Sequence, residues 1–458
     1  MTFRLGFAIS VLACLGPWNL PAQETGTQPQ TIPVSVPQAG IQIRSVSAYA
    51  VYDSSFLPNS AGGFQASAAN LPADVGIGGS IAVEWSKFTE RSTFSLDYTP
   101  SYTGYVRNSN LNALNHLLSL TTSRKLAPRW TLNFAVAGNL SSLEQTAFAP
   151  SALGNVAAVP ATFNDLSAAL LSGTFTNNPQ LGVVLSSSPL AESPVTNLIY
   201  GQRVFTSSGR VSLAYSYSPR LTVTFSGGAA RTQYVSQDQP TATNNLYLLP
   251  NTTSGTGDIR FSYSLSPLTQ LGGTATVERI SSSIFDSYNT TTQVSLGHTF
   301  AKRWIAQVHG GVASTYALRR IEAASPSKPG PAIGGSLAYK TLSNTFLGSF
   351  DRTVIDQYGL GATTTSNVSG NWRWRHPGAT WWLDGSVSWQ QLQGGVLANT
   401  IGWRATAGLS RALGPNVIVL TQYAYVNYSG GFLGAAYHTS QQAVRLTVEW
   451  TPHPVVLQ

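Results

Sequence analysis

From about Ile41 onward, apolar and polar residues alternate with a period of two, which is the spacing of strands that present one face to an apolar medium and the other to water. In the run from Arg210 to Tyr217, Val211, Leu213, Tyr215 and Tyr217 share one face, and Arg210, Ser212, Ala214 and Ser216 share the other. Leu221 to Gly228 repeats the pattern after Ser218-Pro219-Arg220, a tight turn. The same unit recurs around Leu126-Ala-Pro-Arg129, Ser266-Pro-Leu-Thr269, Ala301-Lys-Arg303, His376-Pro-Gly-Ala379 and Leu413-Gly-Pro-Asn416. Short turns alternate with longer polar connections such as Gln237 to Thr252 and Ile321 to Gly330.

This pattern predicts about eighteen strands, centred near residues 46, 80, 98, 118, 134, 211, 226, 260, 274, 296, 310, 336, 350, 370, 386, 405, 421 and 446. Sixteen is the alternative, because Ile41 to Tyr52 changes parity midway and one other segment could fail with it. Pro100, Gly227, Gly228, Gly272 and Gly273 stand inside runs, where they predict bulges, strand ends or tight curvature. Short connections on one side and long ones on the other make the fold class all-β: a transmembrane antiparallel up-and-down β-barrel. Trp85, Trp130, Trp304, Trp381 and Trp450 fall at strand ends beside the short turns, where an interfacial aromatic girdle belongs.

Composition agrees with this reading and removes its rivals. One residue in ten of the 458 is charged, against roughly one in four in a soluble globular protein. Hydrophobic content of 42% sets the chain apart from disordered sequences. After the N-terminus, no stretch approaches the ~18 to 20 apolar residues of a transmembrane helix. The net charge of +8 is spread over single Lys and Arg residues without a basic run, so no nucleic-acid partner is expected.

The N-terminus predicts the domain plan. Arg4, the apolar stretch Leu5 to Gly16 and a small residue before Gln23 make residues 1–22 a cleaved secretory signal peptide. Residues 23–40, rich in Pro, Gln and Thr, read as a flexible periplasmic lead-in, and 41–458 as the barrel. Cys14 lies in the signal peptide, so the mature chain has no thiol chemistry. Within 141–200 alternation lapses, and Thr162 to Gly173 carries Phe163, Leu166, Ala169 and Leu170 at helical spacing. A short helix near 162–172, bearing Phe163, Asp165, Leu166 and Leu170, is therefore a candidate constriction loop; an outer lid or a loop with no role in transport is the alternative.

Candidate chemistry is sparse. By parity His309 is the one inward histidine of six, and no two His, and no His with a carboxylate, stand at metal-ligand spacing on one inward face, so neither a metal nor another cofactor is expected. A hydrolase would need a serine beside His309 or His438, and no enzymatic activity is expected. Inward parity collects Arg210, Arg260, Arg319, Lys340, Arg373, Arg375, Arg404 and Arg445 against Glu84, Asp97, Asp258, Glu278, Asp351, Asp384 and Glu449. Lys340, Arg373, Arg375 and Arg404 come from neighbouring C-terminal strands and form a candidate lumen-lining basic arc, with interstrand ion pairing as the competing role.

The signal peptide, the Pro-containing turns, the girdle tryptophans and the last strand Val444-Arg-Leu-Thr-Val-Glu-Trp450 resemble the bacterial outer-membrane β-barrel superfamily. The chain departs from that pattern in continuing past the terminal aromatic with Thr451 to Gln458. The resemblance implies outer-membrane localisation, with outer-membrane lipid and the barrel-assembly machinery as partners. It also implies a channel for polar solutes or polymers. An outer-membrane component of exopolysaccharide export, with an anionic polymer as cargo, is one form of it. A non-conducting structural or adhesive barrel is the rival. Small inward residues, among them Ser212, Ala214, Thr222, Thr224, Ser226, Thr274, Thr276, Ser386 and Ser388, favour the channel.

Overall fold

The structure is a computed structural model. It describes residues 40–54, 73–142 apart from 108, 110 and 111, 203–235, 251–319 apart from 283, 284 and 302, 329–356, 362–394, 399–432 and 435–452. The expected signal peptide, the lead-in up to 39 and the candidate constriction residues Phe163, Asp165, Leu166 and Leu170 lie outside the described residues.

Eighteen strands follow one another: β1 (Gly40–Asp53), β2 (Asp74–Phe88), β3 (Ser92–Tyr105), β4 (Ala113–Ala127), β5 (Trp130–Ser142), β6 (Arg203–Ser218), β7 (Leu221–Tyr234), β8 (Thr252–Ser266) and β9 (Thr269–Ser282). The second half comprises β10 (Asp286–Phe300), β11 (Trp304–Arg319), β12 (Pro329–Lys340), β13 (Asn344–Ile355), β14 (Thr363–Arg375), β15 (Trp381–Gln393), β16 (Thr400–Ala412), β17 (Val417–Phe432) and β18 (Ala435–Trp450). Each expected strand centre falls inside one of them, so sixteen gives way to eighteen. Every strand pairs antiparallel with its sequence neighbours, and β1 pairs with β18, which closes the sheet.

Alternation becomes architecture once the sheet is closed. Val211, Phe225, Ile259, Val308 and Val387 are about half exposed, whereas Ser208, Asp258, Glu278 and Gln307 on the opposite face are buried. A soluble sheet would bury the first set; here it forms the outside of a ring, suited to hydrocarbon. No described helix is long and apolar enough to cross a membrane. Closure is obligatory in lipid, where each unpaired backbone group costs several kcal/mol and an open edge would expose a whole row of them. Eighteen strands also leave room for an aqueous lumen.

The parity break in β1 has a local cause. The β1–β2 register shifts between Ile43 and Ser45, so Arg44 is an extra residue opposite no partner, a β-bulge. Ile41 and Ile43 face outward before it, and Ala48, Ala50 and Tyr52 face outward after it; one added residue moves the apolar set from odd to even positions. The closing ladder is short, with eight residue pairs from Val46 with Trp450 to Asp53 with Ala443. Gly40 to Ser45, the bulged Arg44 aside, therefore pair with β2 alone, and Ala435 to Gln441 pair with β17 alone, the stagger that strand tilt requires at a barrel seam.

The short turns are fastened to one another. The last residue of a turn accepts a hydrogen bond from the next hairpin: Arg91 O from Lys125 N at 2.8 Å, Arg129 O from Ser216 N at 2.9 Å, Arg220 O from Ser264 N at 2.8 Å and Thr380 O from Ala412 N at 2.7 Å. Above this rim sits the girdle. Trp85 meets Phe94 edge-on at 4.9 Å, Trp130 meets Tyr215 at 4.5 Å, Trp304 meets Tyr339 at 4.3 Å, and Trp381 meets Trp374 at 5.0 Å. Twelve residues along β11 from Trp304 comes the exposed Tyr316, which puts a second aromatic level about 30 Å away at ordinary strand rise and tilt. The outward ring of Phe261 lies directly over Gly273, where a Cβ would collide with it, an aromatic filling the space that a mid-strand glycine leaves.

Candidate functional site: the inner wall

The inward face is a set of charge groups, each held by strand register. Near the short-turn end, Glu84 and Asp97 stand directly opposite each other on β2 and β3, a like-charge pair that would repel. Arg44 relieves it, with Nε 3.4 Å from Glu84 and Nη1 3.1 Å from Asp97, while the Ser95 hydroxyl donates to both carboxylates. The bulge supplies this arginine. Because the bulge hid its parity, the sequence reading missed Arg44.

Midway along β6 to β8, Asp258 sits between two arginines. Arg210 Nη2 donates to it at 2.5 Å and to Ser226 Oγ at 2.7 Å, and Arg260 Nε lies 2.8 Å from its other oxygen. Ser226, directly opposite Asp258 across the ladder, also donates to it. Two cations against one carboxylate leave this group with an excess positive charge.

His309 has a partner that single-strand spacing could not show. It stands opposite Gly334 on β12, and Gly334 stands opposite Asp351 on β13. The imidazole reaches across the intervening strand to Asp351 Oδ2, with Nε2 at 2.9 Å. Gly334 makes this crossing possible, because a Cβ there would come within 2.6 Å of the His309 ring. The expectation of an inward histidine without a carboxylate partner is corrected accordingly: the pair forms across strands instead of along one. Among the described residues no group of three or more His, Cys, Asp or Glu is placed to hold a metal.

The four residues of the basic arc do not share one row. Lys340 pairs with Thr345, Thr345 with Arg373, and Arg373 with Asp384, so these stand in one line across β12 to β15. Arg373 Nε donates to Asp384 Oδ1 at 2.5 Å, and Asp384 is buried. The competing role, interstrand ion pairing, is thus present at this arginine. Arg375 is two residues on, at the turn, its Nη2 3.5 Å from Ala379 O. Arg404 pairs with Ser388, four positions along β16 from Gly408, which is opposite Asp384; that is about 13 Å along the strand. Arg373 and Arg404 therefore do not form one cluster.

At the long-connection end the wall carries the expected Glu278 and three acids that sequence reasoning passed over, Asp53, Asp74 and Asp356. Asp53 and Asp74 are opposite each other and buried. Tyr105 Oη and Gln441 Nε2 each donate to Asp53 at 3.1 Å, and the backbone N–H groups of Val75 and Arg107 donate to Asp74. Glu278 accepts from Asn289, Asn289 Oδ1 accepts from Thr315 and from the Asp356 amide, and Asp356 accepts from Ser287. The alternation Tyr49, Val51, Asp53 was the available signal for the first of these acids. Elsewhere on the wall, Arg445 stacks on the inward Tyr49 ring at 3.6 Å.

No protein-family model matches the chain, and no curated protein matches it significantly. Among solved structures, it aligns with Pseudomonas aeruginosa OccK2 (OpdF) in complex with glucuronate at 8% identity and TM-score 0.43, covering 91% of this chain and 100% of the other. It aligns with a BenF-like porin from Pseudomonas fluorescens Pf-5 at 9% identity and TM-score 0.43, covering 90% and 98%. Acinetobacter baumannii OccAB4 aligns at 10% identity and TM-score 0.41, covering 89% and 99%. The class of the molecule, a closed eighteen-strand transmembrane β-barrel, rests on its own ladders and its apolar exterior.

Proposed function

We propose that this chain is a passive channel of the bacterial outer membrane for small polar solutes, with a preference for anions. The observation that carries the reading is the contrast between the two faces of one closed sheet. Its exterior is apolar, and its interior is lined by Ser, Thr, Asn, Gln and charged groups within a circumference of eighteen strands. The anion preference rests on the surplus cation at Asp258, where two planar guanidinium groups, of a shape that suits carboxylate and phosphate, face one carboxylate. No feature of the described wall favours a long polymer over a small solute, so export of a polysaccharide gains no support.

The test is single-channel conductance of the refolded protein in a planar bilayer. Discrete conductance steps, with a reversal potential shifted toward anions in dilute salt, are expected, because the Debye length reaches ~30 Å at 0.01 M and the wall charges then act across the lumen. A folded, inserted barrel without conductance would establish the structural reading instead. For the anion preference, replacing Arg210 and Arg260 by Gln is expected to move the reversal potential toward cations at low salt and very little at 1 M.

A further inference from the structure

We propose that the short-turn rim of β2 to β7 is a binding arc for the anionic phosphate head groups of the phospholipid leaflet around it. The inference rests on the membrane reading above and goes beyond it by assigning one sector of the barrel to one lipid chemistry. Three adjacent hairpins, β2–β3, β4–β5 and β6–β7, carry Lys87, Arg91, Arg124, Lys125, Arg129 and Arg220 at or beside their turns, all exposed. Glu90 is the one acid among these turn segments, so the arc holds an excess of five positive charges out of a net +8 for the whole chain. None of the six cations enters an ion pair among the described residues, in contrast to the inward Arg44, Arg210, Arg260 and Arg373.

Position selects the partner. Lys87 lies on the same outward face as Trp85, and Arg124 is opposite Leu132, two residues from Trp130 on that face. Lys87 therefore lies one step beyond Trp85 toward the turn, and Arg124, opposite Ser92, one step beyond Phe94, at the end of the lipid-facing surface. That is the depth of a head group, with the aromatics at the boundary below it. The lumen, where a transported anion would pass, is on the other face. The turns are also held in place: Lys125 N bonds to Arg91 O and Ser216 N to Arg129 O, so the cations are spaced along a stitched rim. A cation near a charged lipid surface favours it by about fivefold.

The experiment compares quenching of tryptophan fluorescence by brominated phosphatidylglycerol and by brominated phosphatidylcholine, using the protein refolded into phosphatidylcholine vesicles. The wild type is expected to favour the anionic quencher by about fivefold or more at low salt, and to lose that preference at 1 M salt. The variant Arg91→Gln/Arg124→Gln/Lys125→Gln/Arg129→Gln is expected to insert and remain heat-modifiable but to quench equally with both lipids. A second variant outside the arc, Arg303→Gln/Arg411→Gln, should keep the preference. Equal quenching in the wild type, or a preference that survives the fourfold variant, overturns the arc. Loss of the preference on adding ~10 mM inorganic phosphate at constant ionic strength also overturns it, by assigning the cations to a free anion. Failure of the wild type to insert strikes the membrane reading instead.

Discussion

A carbon atom's worth of space at Gly334 decides whether His309 and Asp351 meet. Gly334→Ala would place a Cβ 2.6 Å from the imidazole and 2.5 Å from the Phe350 carbonyl. The ring can rotate away, but the carbonyl is backbone and must shift. The expected cost is about 1 to 3 kcal/mol of stability, read as a lowered urea midpoint in detergent micelles. An unchanged midpoint would mean that the strand gives way without strain. Arg373 carries a larger penalty. Its removal as Arg373→Gln leaves the Asp384 carboxylate buried without its cation, at about 3 kcal/mol, and Arg373→Gln/Asp384→Asn should restore most of that loss. Additive losses in the double variant would refute the pairing.

At the scale of the strand and its turn, direction around the ring becomes testable. Apart from Cys14 the chain has no cysteine, so single introduced cysteines report cleanly. Cysteines at Arg220 and Pro267 are expected to resist a membrane-impermeant thiol reagent added to intact cells, whereas those at Ser109 and Gly394 should react, because short turns face the periplasm and longer connections the exterior. The reverse labelling pattern would invert the barrel. The strands were legible because lipid outside and water inside impose opposite demands on successive residues, and runs such as Arg210 to Tyr217 record both. The turns were legible through Pro219, Pro267 and Pro415. The bulge at Arg44 was not, since one unpaired residue reverses parity without altering composition. The charged wall was half legible: facing follows from alternation within a strand, but partnership needs register between strands. Arg373 with Asp384 crosses one ladder, and His309 with Asp351 crosses two, with a masking glycine between them.

For the molecule as a whole, closure predicts cooperative behaviour. The folded chain is expected to migrate faster than its boiled form on gels in mild detergent and to fractionate with outer-membrane lipid; recovery as a soluble periplasmic protein would end the barrel reading. The closed sheet is also a hoop, and a hoop under lateral tension fails at its weakest staple. Eight residue pairs join β18 to β1 and eight join β12 to β13, whereas sixteen join β17 to β18. Amide exchange should therefore begin along β1 and β12, and bilayer stretching should open the wall at these two lines before any other.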